Sequence, residues 1–349
     1  MSKIYSIQLL RAMAAAFVVI SHVWGNNGVV GGPLGFGYIG GYGVDIFFVI
    51  SGFIMCYTTK EVFACPRSEA ISFMSKRILR IYPVYLIVAS PAIIYLMHQH
   101  LKNGGSLSLY DVIGNFLLLP TFTEDPNYHM FFYVAWSLCY EMMFYALFAI
   151  LMSICKTRKT LVFSMIASIV GMVAFVQTFR LQGEMLGWVN MTYMVGDSLM
   201  INFALGCLAF SIFSTVKGFE LRPALSIVLI CVLIAMGIIN AQHQAYRLFS
   251  FGFPAFFIVM IALYTRLPDA NQPAIERIAL YLGNASYSIY LVHLYVVFAS
   301  EKVYSLVPLQ KDVTGAIMSL IAIALGCAFY STVEKPMNKT IHVRLYKRV

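Results

Sequence analysis

The sequence predicts an all-α, polytopic membrane protein with about ten transmembrane helices and both termini in the cytoplasm, and three observations carry that prediction. The 349 residues are 60% hydrophobic and only 11% charged. A soluble domain is about 45–50% apolar and about 25% charged, so this chain cannot cover a water-facing surface. Ten apolar runs have roughly the 18–22 residues that cross a bilayer as helix, and the basic residues between them sort to one side. The same composition excludes disorder, a collagenous chain and a secreted disulfide scaffold. No basic tract with interleaved aromatics is present, so nucleic acid is not an expected partner.

The runs lie near residues 6–24, 43–59, 81–98, 130–154, 160–179, 198–215, 223–240, 248–265, 283–300 and 313–334. With the N-terminus inside, the inner segments hold Lys3, then Lys60, Arg67, Lys76, Arg77 and Arg80, then Lys156, Arg158 and Lys159, then Lys217 and Arg222, then Arg266 and Arg277. The tail adds Lys335, Lys339, Arg344, Lys347 and Arg348, which brings 18 basic residues inside against Lys102, Arg180, Arg247, Lys302 and Lys311 outside. This bias fixes the orientation and accounts for the formal charge of +9 without an acidic polymer.

The first run is expected to stay in the protein, because the small residues Ala12 to Ala16 lie within it and not after it, where a signal-peptide cleavage site would be. Residues 25–43 carry nine glycines and read as an outer loop where backbone approaches a ligand closely. Residues 99–129 form a second long outer loop, and its apolar stretch Phe116 to Pro120 suits a re-entrant or interfacial segment. Five of the seven cysteines fall in spans and the other two on the inner side, so no disulfide is expected. None has metal-ligand spacing, and no metal is expected. With no repeat, linker or appended soluble domain in view, residues 1–349 read as a single integral-membrane domain.

Chemistry in such a chain falls to ionisable residues within spans, each costing roughly 2.5–3.5 kcal/mol at mid-bilayer unless a partner or cavity receives it. Arg11 and His22 in the first span, Asp45 at the outer start of the second, Glu141 in the fourth and His293 in the ninth qualify. Arg11 and His22 are eleven residues apart, about 20° from a whole number of turns, so they share a helix face about 16 Å apart along the axis. Depth below the outer surface suggests two pairs. His22 at about 6 Å and Asp45 at about 3 Å would give an imidazole oriented by a carboxylate, and Arg11 and Glu141 would meet near mid-membrane. His293 has no acidic neighbour in the spans, and a satisfied core histidine is an equally natural reading. Glu141 and Glu334 are also explained as helix-to-helix ties. Arg77 and Arg80 share a helix face at i,i+3, next to Lys76. Two guanidiniums there could grip phosphate oxygens bidentately, although a topology and lipid-headgroup cluster is the commoner meaning of that spacing.

The ordered motifs R-x10-H from Arg11 to His22, GVDIFFVISGF at 43–53, KRILRIYP at 76–83, WSLCYE at 136–141, LGNASYSIYLVH at 282–293 and VEKP at 333–336 resemble the acyltransferase-3 family. These are membrane O-acyltransferases that decorate bacterial surface glycans. Cys139 departs from the small polar residue usual in the family at that place. The resemblance implies a ten-helix core in the bacterial cytoplasmic (inner) membrane, acetyl-CoA or a similar thioester as cytoplasmic donor, and a glycan or lipid-linked sugar hydroxyl as outer acceptor. It also implies that Arg11 and His22 are needed for activity and that Arg77 and Arg80, with Lys76, contact the donor. Joined to the spacing, it gives a reading in which His22, oriented by Asp45, is general base. Arg11 then belongs with the donor, and Ser51, Trp136 or a nearby tyrosine serves the oxyanion. The rival reading from another class is a proton-coupled carrier or flippase of a lipid-linked sugar, using His22, Asp45, Glu141 and His293 as a proton path.

Overall fold

The computed structural model describes residues 5–123, 128–266, 273–306 and 310–346; Lys3, Lys347 and Arg348 of the charge count lie outside them. The described chain runs through α1 (Tyr5–Val23), α2 (Gly28–Gly31), α3 (Phe36–Thr58), α4 (Pro66–Lys102), α5 (Leu109–Leu117), α6 (Trp136–Ile154) and α7 (Arg158–Thr178). It continues through α8 (Met191–Met194), α9 (Leu199–Thr215), α10 (Pro223–Gln242), α11 (Phe253–Tyr264), α12 (Pro273–Leu306), α13 (Lys311–Phe329) and α14 (Lys335–Tyr346). Among the described residues there is no β-strand, only isolated bridges between loops. Eight of the helices are long and apolar enough to cross a membrane. The runs expected at 198–215 and 248–265 form the shorter apolar helices Leu199–Thr215 and Leu248–Tyr264, about 26 Å long if 17 residues rise 1.5 Å each. The protein is a polytopic, all-helical membrane protein.

The helices group into two compact units, Met1–Phe53 with Ala209–Val349, and Ile54–Leu208.

In the first unit α1 packs on α12 and α13. Ala15, Val19, Val23, Ala285, Ile289, Val296, Met318 and Ala322 make one buried cluster. Lipid tails are as apolar as these side chains, so close van der Waals contact, not water exclusion, holds such helices, and small residues permit it. A methyl group built on Gly283 of α12 would stand 2.3 Å from the carbonyl oxygen of Gln8, and one on Gly326 of α13 would stand 2.5 Å from Cα of Ile289. The helix directions alternate as the charge bias requires. Arg11 meets Ser286 and His22 meets His293, so α1 and α12, the first and ninth expected spans, run parallel. Trp24 beyond the end of α1 meets Asp312 at the start of α13, so those two run antiparallel.

The glycine-rich stretch departs from expectation. Helix α3 begins at Phe36 and takes in Gly37, Gly40, Gly41 and Gly43, leaving only Gly25, Gly28 and Gly35 in the left-handed conformation of turns (φ 53°, 81° and 68°). The helical glycines are contact points. Methyl groups on Gly43, Gly40 and Gly37 would come within 2.5 Å of Ala14 O, 2.6 Å of Ser21 Oγ and 2.6 Å of Asn26 Oδ1. Soluble-helix propensity reads these glycines as loop; within a membrane they let α3 lie against α1. The turn ahead of α3 is held by Asp312, whose carboxylate accepts from Val29 N (2.9 Å), Val30 N (3.1 Å) and Trp24 Nε1 (3.1 Å).

In the second unit the 37-residue α4 continues through Pro83 and Pro91, a tolerance that membrane surroundings grant more readily than water. Tyr82 and Tyr85 donate to the carbonyls of Leu117 (2.6 Å) and Asn115 (2.5 Å). The loop expected to be interfacial therefore holds a nine-residue helix, α5, tied to α4 and started by a capping box between Ser108 and Asp111. Leu109, Tyr110, Ile113 and Leu117 on α5 remain exposed, as an interfacial helix requires.

Candidate active site

Two groups of candidate side chains result, one in each unit. In the first, His22 occupies the last turn of α1 and His293 the middle of α12. His22 Nδ1 lies 2.9 Å from His293 Nε2, with 17° between the ring planes and 5.2 Å between centroids, so the two rings meet edge to edge. His293 is completely buried, and the Tyr290 ring stands 5.8 Å from it. One end of the motif LGNASYSIYLVH thus meets one end of R-x10-H. The other ends meet too, since Arg11 Nη2 donates to Ser286 Oγ at 3.0 Å, and Ser286 in turn donates to Gly283 O at 2.8 Å. Arg11 and His22 share a face as the eleven-residue spacing predicts, and that face is the one turned to α12.

Asp45 is 1% exposed on α3, and Arg247 Nη2 reaches its Oδ2 at 2.6 Å. The guanidinium also lies over the Phe251 ring at 5.5 Å. Arg247, read from the sequence as an outer-side charge, stands immediately before a π-helical turn, Leu248–Gly252, that leads into α11. Depth along the helix axes paired His22 with Asp45. The structure supplies His293 as the ring beside His22 and Arg247 as the cation on Asp45. Glu334 closes a second π-helical turn, Tyr330–Glu334. It accepts from Ser288 Oγ at 2.5 Å and from Asn338 Nδ2 at 3.5 Å, a tie between α12 and the end of α13. Ser51 is half-buried on α3.

In the second unit Lys76, Arg77 and Arg80 lie within α4. Lys76 and Arg80 are exposed, whereas Arg77 is half-buried. The Arg77 guanidinium sits 5.2 Å from the Phe73 ring centroid and 5.6 Å from that of Tyr145, its Nε buried without an acceptor. Phe148 stacks on Phe73 at 4.9 Å, and Tyr145 donates a short hydrogen bond to Glu141. Arg77 is thus a cation set against two aromatic rings that meet edge to face (6.1 Å between centroids, 86° between planes), and the planar guanidinium suits that place better than an ammonium would. Glu141 and Arg11, paired by depth, fall in different units, and their described partners are Tyr145 and Ser286. Trp136 opens α6, buried against Trp188 at 5.2 Å and Tyr140 at 5.8 Å. The sequence reading missed Asp197, a buried carboxylate that accepts from Tyr140 OH (2.7 Å) and from Leu199 N (3.1 Å) at the start of α9.

The acyltransferase domain family matches residues 4–332. The chain is similar to the exopolysaccharide production protein ExoZ of Rhizobium meliloti (strain 1021), with 26% identity over 304 residues, 86% of this chain and 90% of that protein. It is also similar to the O-acetyltransferase OatA of Staphylococcus aureus (strain NCTC 8325 / PS 47), with 23% identity over 367 residues, 95% of this chain and 56% of OatA, so it spans little more than half of that relative. A third similarity is to the putative acetyltransferase ORF330 of Acidianus two-tailed virus, 22% identical over 344 residues, 96% of this chain and 91% of that protein. No solved structure matches the chain. A family match over nearly the whole length, on a helical membrane fold that gathers R-x10-H against LGNASYSIYLVH, establishes that the chain belongs to the acyltransferase-3 family and is an acyltransferase.

Proposed function

We propose that the protein is a membrane O-acyltransferase of the bacterial cytoplasmic membrane, moving an acetyl group from cytoplasmic acetyl-CoA to a hydroxyl of a cell-surface or lipid-linked glycan. The observation that carries this reading is the placing of His22 against fully buried His293 in the packed seam of α1 and α12, a dry setting for a general base. The relatives' names point the same way, one an exopolysaccharide production protein and another an O-acetyltransferase. In the reaction His22 takes the proton of the acceptor hydroxyl as its oxygen attacks the thioester carbonyl carbon. The tetrahedral intermediate then expels CoA thiolate, the carbon–sulfur bond breaks, and the proton on His22 passes to sulfur. The products are an acyl ester and free thiol, and the histidine ends as it began. Such a base contributes typically 10²–10⁴-fold. Arg77, with Arg80 and Lys76, is assigned to the donor phosphates. Its buried, acceptorless Nε and its aromatic neighbours suit a cation held ready for an anion. Arg11 is assigned to the donor arm.

The test is purified protein in bilayers with radiolabelled acetyl-CoA and envelope glycan. Label in the glycan that depends on thioester and on His22 is the expected result. Glycan that crosses the bilayer unlabelled would favour the carrier reading instead. Mass spectrometry of surface polysaccharide from a deletion strain identifies the acceptor.

A further inference from the structure

We propose that His293 is a positioning residue that fixes which nitrogen of His22 carries the lone pair, so that Nε2 of His22 is the base. This rests on the acyltransferase reading for its catalytic meaning but on geometry for its content. A neutral imidazole has one N–H and one lone pair, and a bond between two imidazoles needs one of each. His293 Nδ1 is buried and closes no full hydrogen bond, and because a helical side chain lies back over the turn before it, this nitrogen, the one nearer the backbone, faces the turn that carries the carbonyl oxygens of Ile289 and Tyr290. Carbonyl oxygens only accept. A lone pair on that nitrogen would face two others in a dry interior, so the hydrogen belongs on His293 Nδ1. His293 Nε2 then holds the lone pair, and across the 2.9 Å contact it accepts from His22 Nδ1–H. His22 is left with its lone pair on Nε2. When that atom takes the acceptor proton, the positive charge strengthens the Nδ1–H bond to His293. The completely buried His293 stays neutral throughout, because a second cation buried beside the first is costly. A histidine thus does here what a carboxylate does in the familiar catalytic triad: it holds the tautomer of the base.

The experiment uses the full-length protein in bilayers, uniformly labelled with 15N-histidine. The His22 resonances are those absent from H22N, one of seven histidines. The expected wild-type spectrum shows a neutral His22 protonated on Nδ1. H293L, which keeps bulk but removes the acceptor, should lose that preference and lower kcat roughly 10²-fold or more while the KM for acetyl-CoA holds. H293Q, whose side-chain oxygen can reach the place of Nε2, should keep kcat within about tenfold of wild type. A wild-type His22 protonated on Nε2, or H293L with unchanged kcat, overturns the proposal. Should H293L fail to fold, the wild-type spectrum and H293Q decide. Should wild type transfer no acyl group, the functional reading fails, and the tautomer still tests the geometry.

Discussion

Replacing Gly283 with alanine adds one methyl group where α12 lies against the backbone of α1. That carbon would stand 2.3 Å from the carbonyl oxygen of Gln8 and 2.8 Å from its carbonyl carbon. A carbon settles against a carbonyl oxygen at about 3.3 Å or more, so the helices must separate locally by about 1 Å. Backbone cannot swing aside as a side chain does, which puts the cost near 3 kcal/mol, the upper end for an overfilled core. Alanine returns about 1 kcal/mol through its helix propensity, leaving about 2 kcal/mol of destabilisation. Activity should suffer more. Ser286, the acceptor for Arg11, is one turn along α12, and His293 lies ten residues on. A displacement of about 1 Å at reacting groups is enough to cost roughly 10²-fold in rate. The measurement pairs thermal unfolding of purified protein with kcat for acyl transfer. G171A is the control, because nothing lies within 4 Å of a methyl group on Gly171, and it should be neutral or slightly stabilising. Wild-type melting and turnover in G283A would show that the α1–α12 seam yields freely, and the packing reasoning would be wrong.

H22A should insert and bind acetyl-CoA yet lose transfer by at least 10²-fold, read on reconstituted protein; full activity would remove the base assignment. D45N takes the carboxylate from Arg247 and should cost about 3–5 kcal/mol, whereas D45N combined with R247M should recover most of that in a double-mutant cycle of melting temperatures. R77K with R80K keeps the charge but loses the planar fork and its fit against the Phe73 and Tyr145 rings. The KM for acetyl-CoA should rise at least tenfold with topology unchanged, and an unmoved KM would return the cluster to lipid headgroups. Reporter fusions after Arg67 and Arg158 should read cytoplasmic and those after Gly31 and Asn103 external; a reversed pattern would break the orientation.

Helix positions were legible because a span announces itself by apolar length, which survives loss of all tertiary information. The glycines at 37, 40, 41 and 43 were misjudged as loop because propensity measured in water penalises them, while helix contact in a membrane rewards their missing side chains. Among site residues, Arg11 and His22 were placed on one face by phase alone. Depth gives height along an axis and nothing about rotation around it, and for that reason it offered Asp45 to His22 and did not find His293, 271 residues away. Arg247 was hidden by its place at a run's edge, where a charge reads as loop; only the fold shows the π-helical turn that leads from it. Asp197 sits in a polar turn between apolar runs, and no one-dimensional pattern says that such a turn is buried.

The pair of Asp45 and Arg247 joins residues 202 positions apart. Ribosomes add about 5–20 residues per second, so the carboxylate exists roughly 10–40 s before the guanidinium that meets it. During that interval α3 either enters lipid with a lone charge, at a cost of about 2.5–3.5 kcal/mol were it at mid-bilayer, or waits beside the insertion machinery. Arg11 waits longer, for Ser286 lies 275 residues downstream. The early helices of this protein therefore depend for their settled place on the late ones. A ribosome that stalls before residue 247 leaves behind a fragment without the Asp45–Arg247 pair, a target for the proteases that clear unassembled membrane segments.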